Sequence, residues 1–179
     1  ANVVHRDLKP DNIFLATEPD GHVIPKILDF GVSKVVNAST ITIDGVTVGT
    51  PAFMSPEQAR GARELDARSD VFSAGILLYV MLCGRNPFED APTFAAIVDA
   101  ILRRRVEPLA DVPAPIWAVI ERAIAKDPAD RFEGALEMAS ALRQAAGRKA
   151  TESNPRLPAV EASSRRPVTS RSAAGAART

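Results

Sequence analysis

Cysteine is almost absent from this sequence: Cys83 stands alone, which excludes an internal disulfide framework and fits a reducing compartment, expected to be the cytoplasm. Set in an apolar stretch, its thiol reads as an inert core group and not as a nucleophile. Aromatic residues are scarce at 5%, yet hydrophobic residues reach 46%, enough for one domain with a real core in 179 residues. Long hydrophobic runs are missing too. The longest, Ala74 to Cys83, is too short to cross a bilayer, and no basic-then-apolar leader opens the chain, so no membrane segment is expected in it. No sign of charge prevails, with 22 basic against 22 acidic residues, and total charge therefore identifies no partner. No internal repeat is visible.

The charge that is present is unevenly placed. Residues 1–147 hold 15 basic and 20 acidic side chains, whereas residues 148–179 hold 7 and 2. The second stretch, RKATESNPRLPAVEASSRRPVTSRSAAGAART, lacks aromatics and any period and mixes Pro, Ser, Ala and Arg. It is expected to be a disordered basic tail, leaving 1–147 as the folded domain. Arg165, Arg166, Arg171 and Arg178 are the only argument for nucleic-acid binding, and a solvated tail accounts for them better, so no nucleic-acid partner is expected.

Along the first stretch, Val3-Val4 and Ile13-Phe14-Leu15 read as short strands, and Val23 to Phe30 as another, with Asp20-Gly21 as a hairpin turn before it. Residues 31–53 have no helical period and read as a long functional or disordered loop. Helical pattern follows. Ser69-Asp70 would cap VFSAGILLYVMLCG, which is apolar on every side and so reads as a central buried helix, stopped by Gly84. Phe94, Ile97, Val98, Ile101 and Leu102 fall on one helical face, as do Ile116, Val119, Ile120, Ala123 and Ile124, and Ala135, Met138, Ala139 and Leu142. These three amphipathic helices should pack around the buried one.

The stretch that carries chemistry is HRDLKPDN, residues 5–12. So much charge cannot be core, and Pro10 argues against a helix interior. Phosphoryl transfer from a nucleotide needs a carboxylate to take the proton of the attacking hydroxyl, a cation to offset charge on the phosphoryl group, and oxygen ligands for magnesium. Asp7, Lys9 and Asn12 are those residue types, and Asp29, ahead of Phe30 and Gly31, could be a second metal ligand. Singly, each has a plainer reading: a turn carboxylate, a solvated charge, a cap, a strand end. In this order the set is too specific for that.

On these residues the sequence resembles the protein kinases. HRDLKPDN is similar to their catalytic loop, Asp29-Phe30-Gly31 to their magnesium motif and Ser55-Pro56-Glu57 to their A-P-E motif. Lys9 is similar to serine/threonine enzymes, and GTPAFMSPEQARG at 49–61 to bacterial relatives of the eukaryotic ones. The resemblance implies an α+β, mainly helical C-terminal kinase lobe with a small β-hairpin region, transferring the ATP γ-phosphate to Ser or Thr hydroxyls of protein substrates with Mg2+. It implies Asp7 as catalytic base, Lys9 on the γ-phosphate, Asn12 and Asp29 on magnesium, and Thr50 bonded to Asp7 and Lys9. It further implies a buried Glu57–Arg131 ion pair, and Asp70 holding the catalytic-loop backbone that contains His5 and Arg6, although a plain N-cap explains Asp70 as well. Ser55 for alanine, Phe53 for tyrosine and Phe72 for tryptophan depart mildly from the family pattern.

Arg6 before the aspartate implies control by a phosphate on the segment from Asp29 to Glu57, which offers Ser39, Thr40, Thr42 and Thr47; Thr42 and Thr47 are favoured on position. The chain starts six residues before Asp7 and has no G-x-G-x-x-G, so it is expected to be a fragment lacking the N-terminal lobe, which becomes a required partner. Alone it should transfer little phosphate. Bacterial relatives often continue into a membrane anchor, which nothing here shows. The alternative reading is a non-catalytic kinase-lobe binding or scaffold module, which has no physical need for Asp7, Lys9, Asn12 and Asp29 together.

Overall fold

The computed structural model describes residues 4–28 and 51–147. A hairpin comes first: β1 (Ile13–Thr17) pairs antiparallel with β2 (Val23–Ile27), Ile13 opposite Ile27 and Thr17 opposite Val23. The turn between them closes where Gly21 N–H bonds Glu18 O at 2.9 Å, with Gly21 at φ 84, a conformation glycine takes without strain. Leu28 N–H still reaches Asn12 O at 2.8 Å, one step beyond the last strand pair. The strand expected to run to Phe30 thus ends at Ile27, because the residues before Ile13 form a 3-10 turn, Pro10–Asn12, and not a strand; Asp29 and Phe30 lie outside the described residues. Val4 is not in a strand either, since the chain beside it is pinned to a helix and not to a neighbouring strand; Val3 lies outside the described residues.

A short turn at Pro51–Phe53 leads into α1 (Pro56–Ala59), then α2 (Ala67–Cys83), α3 (Phe94–Arg103), α4 (Ala114–Ala123) and α5 (Ala135–Ala145). The three amphipathic helices form where the apolar spacing places them. α2 starts earlier than expected: Asp66, not Ser69-Asp70, is its N-cap, its carboxylate accepting Arg68 N–H at 2.9 Å. Gly84, at φ 73, ends it. Its middle turns are largely buried, Phe72 and Ile76 completely, but Met81 and Leu82 in the last turn face outward. Cys83 there is only partly buried, its thiol against Arg85 O.

α2 packs on α4 and α5, whereas α3 rests chiefly on α1 and the Pro51–Phe53 turn. One cluster joins Phe72, Ile76 and Tyr79 of α2 to Phe88, Ile101 and Ile120; a second joins Val71 to Val119, Ala123, Phe132 and Met138. The expectation of three helices around α2 is therefore met directly by α4 and α5, while α3 reaches it through shared side chains. The hairpin lies apart from both clusters and exposes Phe14, Leu15, Val23 and Ile27. The disordered tail expected from residue 148 onward lies outside the described residues.

Candidate active site

The loop before β1 is held in a shape that most residues avoid. Arg6 has φ 67, the only positive φ of a non-glycine residue among those described, a conformation that costs an L-residue roughly 1–2 kcal/mol. Charge on α2 offsets this. The Asp70 carboxylate accepts His5 N–H at 2.7 Å through one oxygen and Arg6 N–H at 2.9 Å through the other. The His5 ring is buried with Nε2 3.0 Å from Leu28 O, while its Nδ1 faces Asp7 N–H at 3.3 Å. That pair of contacts calls for the tautomer with its proton on Nε2. From the other side, Gln58 Nε2 donates to Arg6 O at 2.7 Å.

The loop delivers three polar side chains to one place. Lys9 is extended, and Pro10–Asn12 then form a single 3-10 turn, closed by Asn12 N–H on Lys9 O at 3.1 Å. Pro10 suits its first position, where no N–H is needed. The turn swings Asn12 back so that its Nδ2 donates to Asp7 O at 2.6 Å and to Asp7 Oδ2 at 3.1 Å. Lys9 Nζ stands 3.3 Å from the same Asp7 oxygen. Both ion-pair partners are largely shielded, with 13% and 27% of their side chains accessible. A carboxylate, an ammonium and an amide thus meet within hydrogen-bonding reach.

With its N–H spent on Asp7, Asn12 has its carbonyl oxygen to offer a hard cation, the donor type magnesium takes. Among the described residues no three His, Cys, Asp or Glu side chains form a metal cluster. Asp29, Phe30, Gly31, Thr42, Thr47 and Thr50 lie outside the described residues.

A second polar centre lies beneath α1. Arg131 is fully buried and forms a fork with Glu57, both contacts at 2.9 Å. Its other N–H groups reach Ala125 O at 2.7 Å, Arg68 O at 2.9 Å and Lys126 O at 3.3 Å, so all five donors are used. Ser69 Oγ donates to Glu57 at 2.6 Å. Burial pushes the Glu57 carboxyl upward, but the Arg131 and Ser69 hydrogen bonds and the guanidinium charge outweigh it and hold the group down at about 2. Phe72, where the resemblance expects tryptophan, still places its ring centroid 5.0 Å from the Arg131 guanidinium. Close by, burial and then the charge of Arg131 bring the Lys126 ammonium down to about 8.

Three side chains absent from the sequence reading hold this neighbourhood together. Ser73 Oγ donates to Phe53 O at 2.8 Å and Asn86 Nδ2 to Ala52 O at 3.1 Å, fixing the turn that follows Thr50 in sequence. Both contacts link segments distant in sequence, and no local pattern announces them. Gln58 is different. Ser55-Pro56-Glu57-Gln58 is an S-x-x-Q capping box, and the reciprocal bonds are present: Gln58 N–H to Ser55 Oγ at 3.4 Å and Ser55 N–H to Gln58 Oε1 at 3.0 Å. The box was legible; its reach to Arg6 was not.

Residues 1–144 match the model of the family described as protein kinase domain. Over 147 residues the chain is 42% identical to the serine/threonine-protein kinase Pkn1 of Myxococcus xanthus, covering 80% of this chain and 21% of that protein. It is 38% identical over 151 residues to the probable serine/threonine-protein kinase PknB of Corynebacterium glutamicum, covering 79% and 23%. Against serine/threonine-protein kinase PknL of Mycobacterium tuberculosis it is 39% identical over 145 residues, covering 79% and 35%. The chain therefore spans from about a fifth to about a third of the length of these curated relatives.

Proposed function

The chain belongs to the protein kinase domain family, and on that premise we propose that residues 1–147 form the large, C-terminal lobe of a serine/threonine protein kinase that transfers the ATP γ-phosphate to protein hydroxyls. The observation that carries this reading is the meeting of the Lys9 ammonium and the Asn12 amide on one Asp7 oxygen, in a loop fixed from below by Asp70.

In this reading Asp7 orients the incoming hydroxyl and accepts its proton, while Lys9 turns from Asp7 toward the γ-phosphate as charge gathers there. Asn12 and Asp29 would hold Mg2+, which neutralises phosphate charge when bound. Thr50 would bond the Asp7–Lys9 pair, Glu57–Arg131 would anchor the end of the segment that contains it, and a phosphate on Thr42 or Thr47 would pair with Arg6. The apolar side chains on the hairpin, Phe14, Leu15 and Val23 among them, give a nucleotide-covering lobe a surface to pack on.

That exposed hairpin also favours the second reading, a binding module that docks another protein. Asp7→Asn separates the two. In the intact natural protein, phosphate transfer from ATP to a basic protein substrate should fall at least about a hundredfold, with the melting temperature kept. Undiminished transfer by Asp7→Asn would remove the assigned role; absence of transfer by the unaltered natural protein would favour the binding module.

A further inference from the structure

We propose that Gln58 is a positioning residue for Asp7, tying the first turn of α1 to the catalytic loop through the Arg6 carbonyl. The inference rests on the kinase reading for its consequence, though not for its geometry. Residue 6 stands in the left-handed region, and both peptide groups around its Cα are fastened by side chains from elsewhere. Its N–H is held by Asp70 of α2, and its C=O by Gln58 of α1 at 2.7 Å. The peptide unit that Gln58 grips is the one joining Arg6 to Asp7. The N–H of that same unit faces His5 Nδ1 at 3.3 Å. A peptide plane fixed at both its oxygen and its nitrogen fixes the axis of the Asp7 N–Cα bond, and Asn12 Nδ2 on Asp7 O at 2.6 Å limits rotation about it, so that together they set the direction in which the Asp7 side chain leaves the backbone.

The side chain of Gln58 divides its two polar atoms between two tasks. Oε1 accepts Ser55 N–H and completes the cap of α1; Nε2 donates to the loop. Only an amide can do both. Glutamate, the other common residue at this position of a capping box, would keep the cap and set a carboxylate against the Arg6 carbonyl. α1 is itself anchored, since Glu57, next to Gln58, is forked to buried Arg131. The tether therefore gives the loop a fixed point on the segment that carries Ser55 to Gln58, separate from its fixed point on α2.

The two tasks can be tested apart in the full chain at pH 7. Gln58→Glu removes the tether and keeps the cap; Ser55→Ala removes the hydroxyl half of the cap and keeps the tether. Deuterium uptake by peptides spanning residues 5–9 should be about three- to tenfold faster in Gln58→Glu and unchanged in Ser55→Ala, while uptake over α2 stays the same in both. Equal acceleration in both variants would show that the loop follows fraying of α1, and no acceleration in Gln58→Glu would show that Asp70 and His5 suffice; either overturns the proposal. In the intact natural protein the tether predicts a lower kcat with KM for ATP unchanged in Gln58→Glu. A natural protein that transfers no phosphate yet shows the exchange pattern would sink the kinase reading and leave the tether standing.

Discussion

Arg131 is the residue whose surroundings are most completely specified. Its five N–H groups are shared among Glu57, Ala125, Arg68 and Lys126, and no part of its side chain is accessible. Removing the charge of its partner leaves a guanidinium in a place water does not reach. Glu57→Gln should destabilise the fold by about 3 kcal/mol, read as a lower urea midpoint. The same variant tests the pH dependence. The Glu57 carboxyl is held at about 2 in the fold against an ordinary 4.5, so its contribution is complete above 4.5 and is lost as the pH falls toward 2. The midpoint gap between wild type and Glu57→Gln should therefore be constant near neutrality and close progressively between those two values. A gap that stayed open at pH 2 would mean that the carboxylate is not what Arg131 depends on. Both partners were legible in the sequence through the motif alone; nothing local in residues 57 or 131 says that they meet.

At the scale of elements, the contact between α2 and α4 depends on the absence of a side chain. A Cβ on Gly75 would lie 2.7 Å from Ile124 Cγ2 and 2.9 Å from Ala123 Cβ. In an open helix Gly→Ala gains about 1 kcal/mol of propensity; here the overlap, costing about 1–3 kcal/mol, reverses the sign. Gly75→Ala should lower the melting temperature, and an increase would show that the helices part freely. α3, α4 and α5 were legible because their buried faces repeat every three or four residues. The start of α2 was not, because Asp66, Ser69 and Asp70 are all competent caps. Only the fold decides that Asp66 turns back on its own helix while Asp70 reaches residues 5 and 6. The hairpin was legible from its turn, and its length was settled by register.

For the whole molecule, burial sets a gradient of local stability. α2 contributes side chains to both core clusters and its Leu78 packs against each, whereas every residue of β2 is exposed. Native-state hydrogen exchange should find its slowest amides between Phe72 and Tyr79 and its fastest regular structure in the hairpin. Slow exchange in β2 of the isolated chain would mean that something covers it. The hairpin also has a consequence for what else can join it. Among the described residues the two-stranded ribbon has two open edges, and Val23, Ile24 and Ile27 have the composition that invites a foreign strand. Since Leu28 N–H bonds Asn12 O, the ladder alternates so that the residue at 25 turns its nitrogen away from β1, to the outer edge. That residue is Pro25, with no hydrogen there to give. The proline that costs the hairpin no bond of its own denies one to any intruder at the centre of β2, which makes that edge a poorer template for a foreign strand.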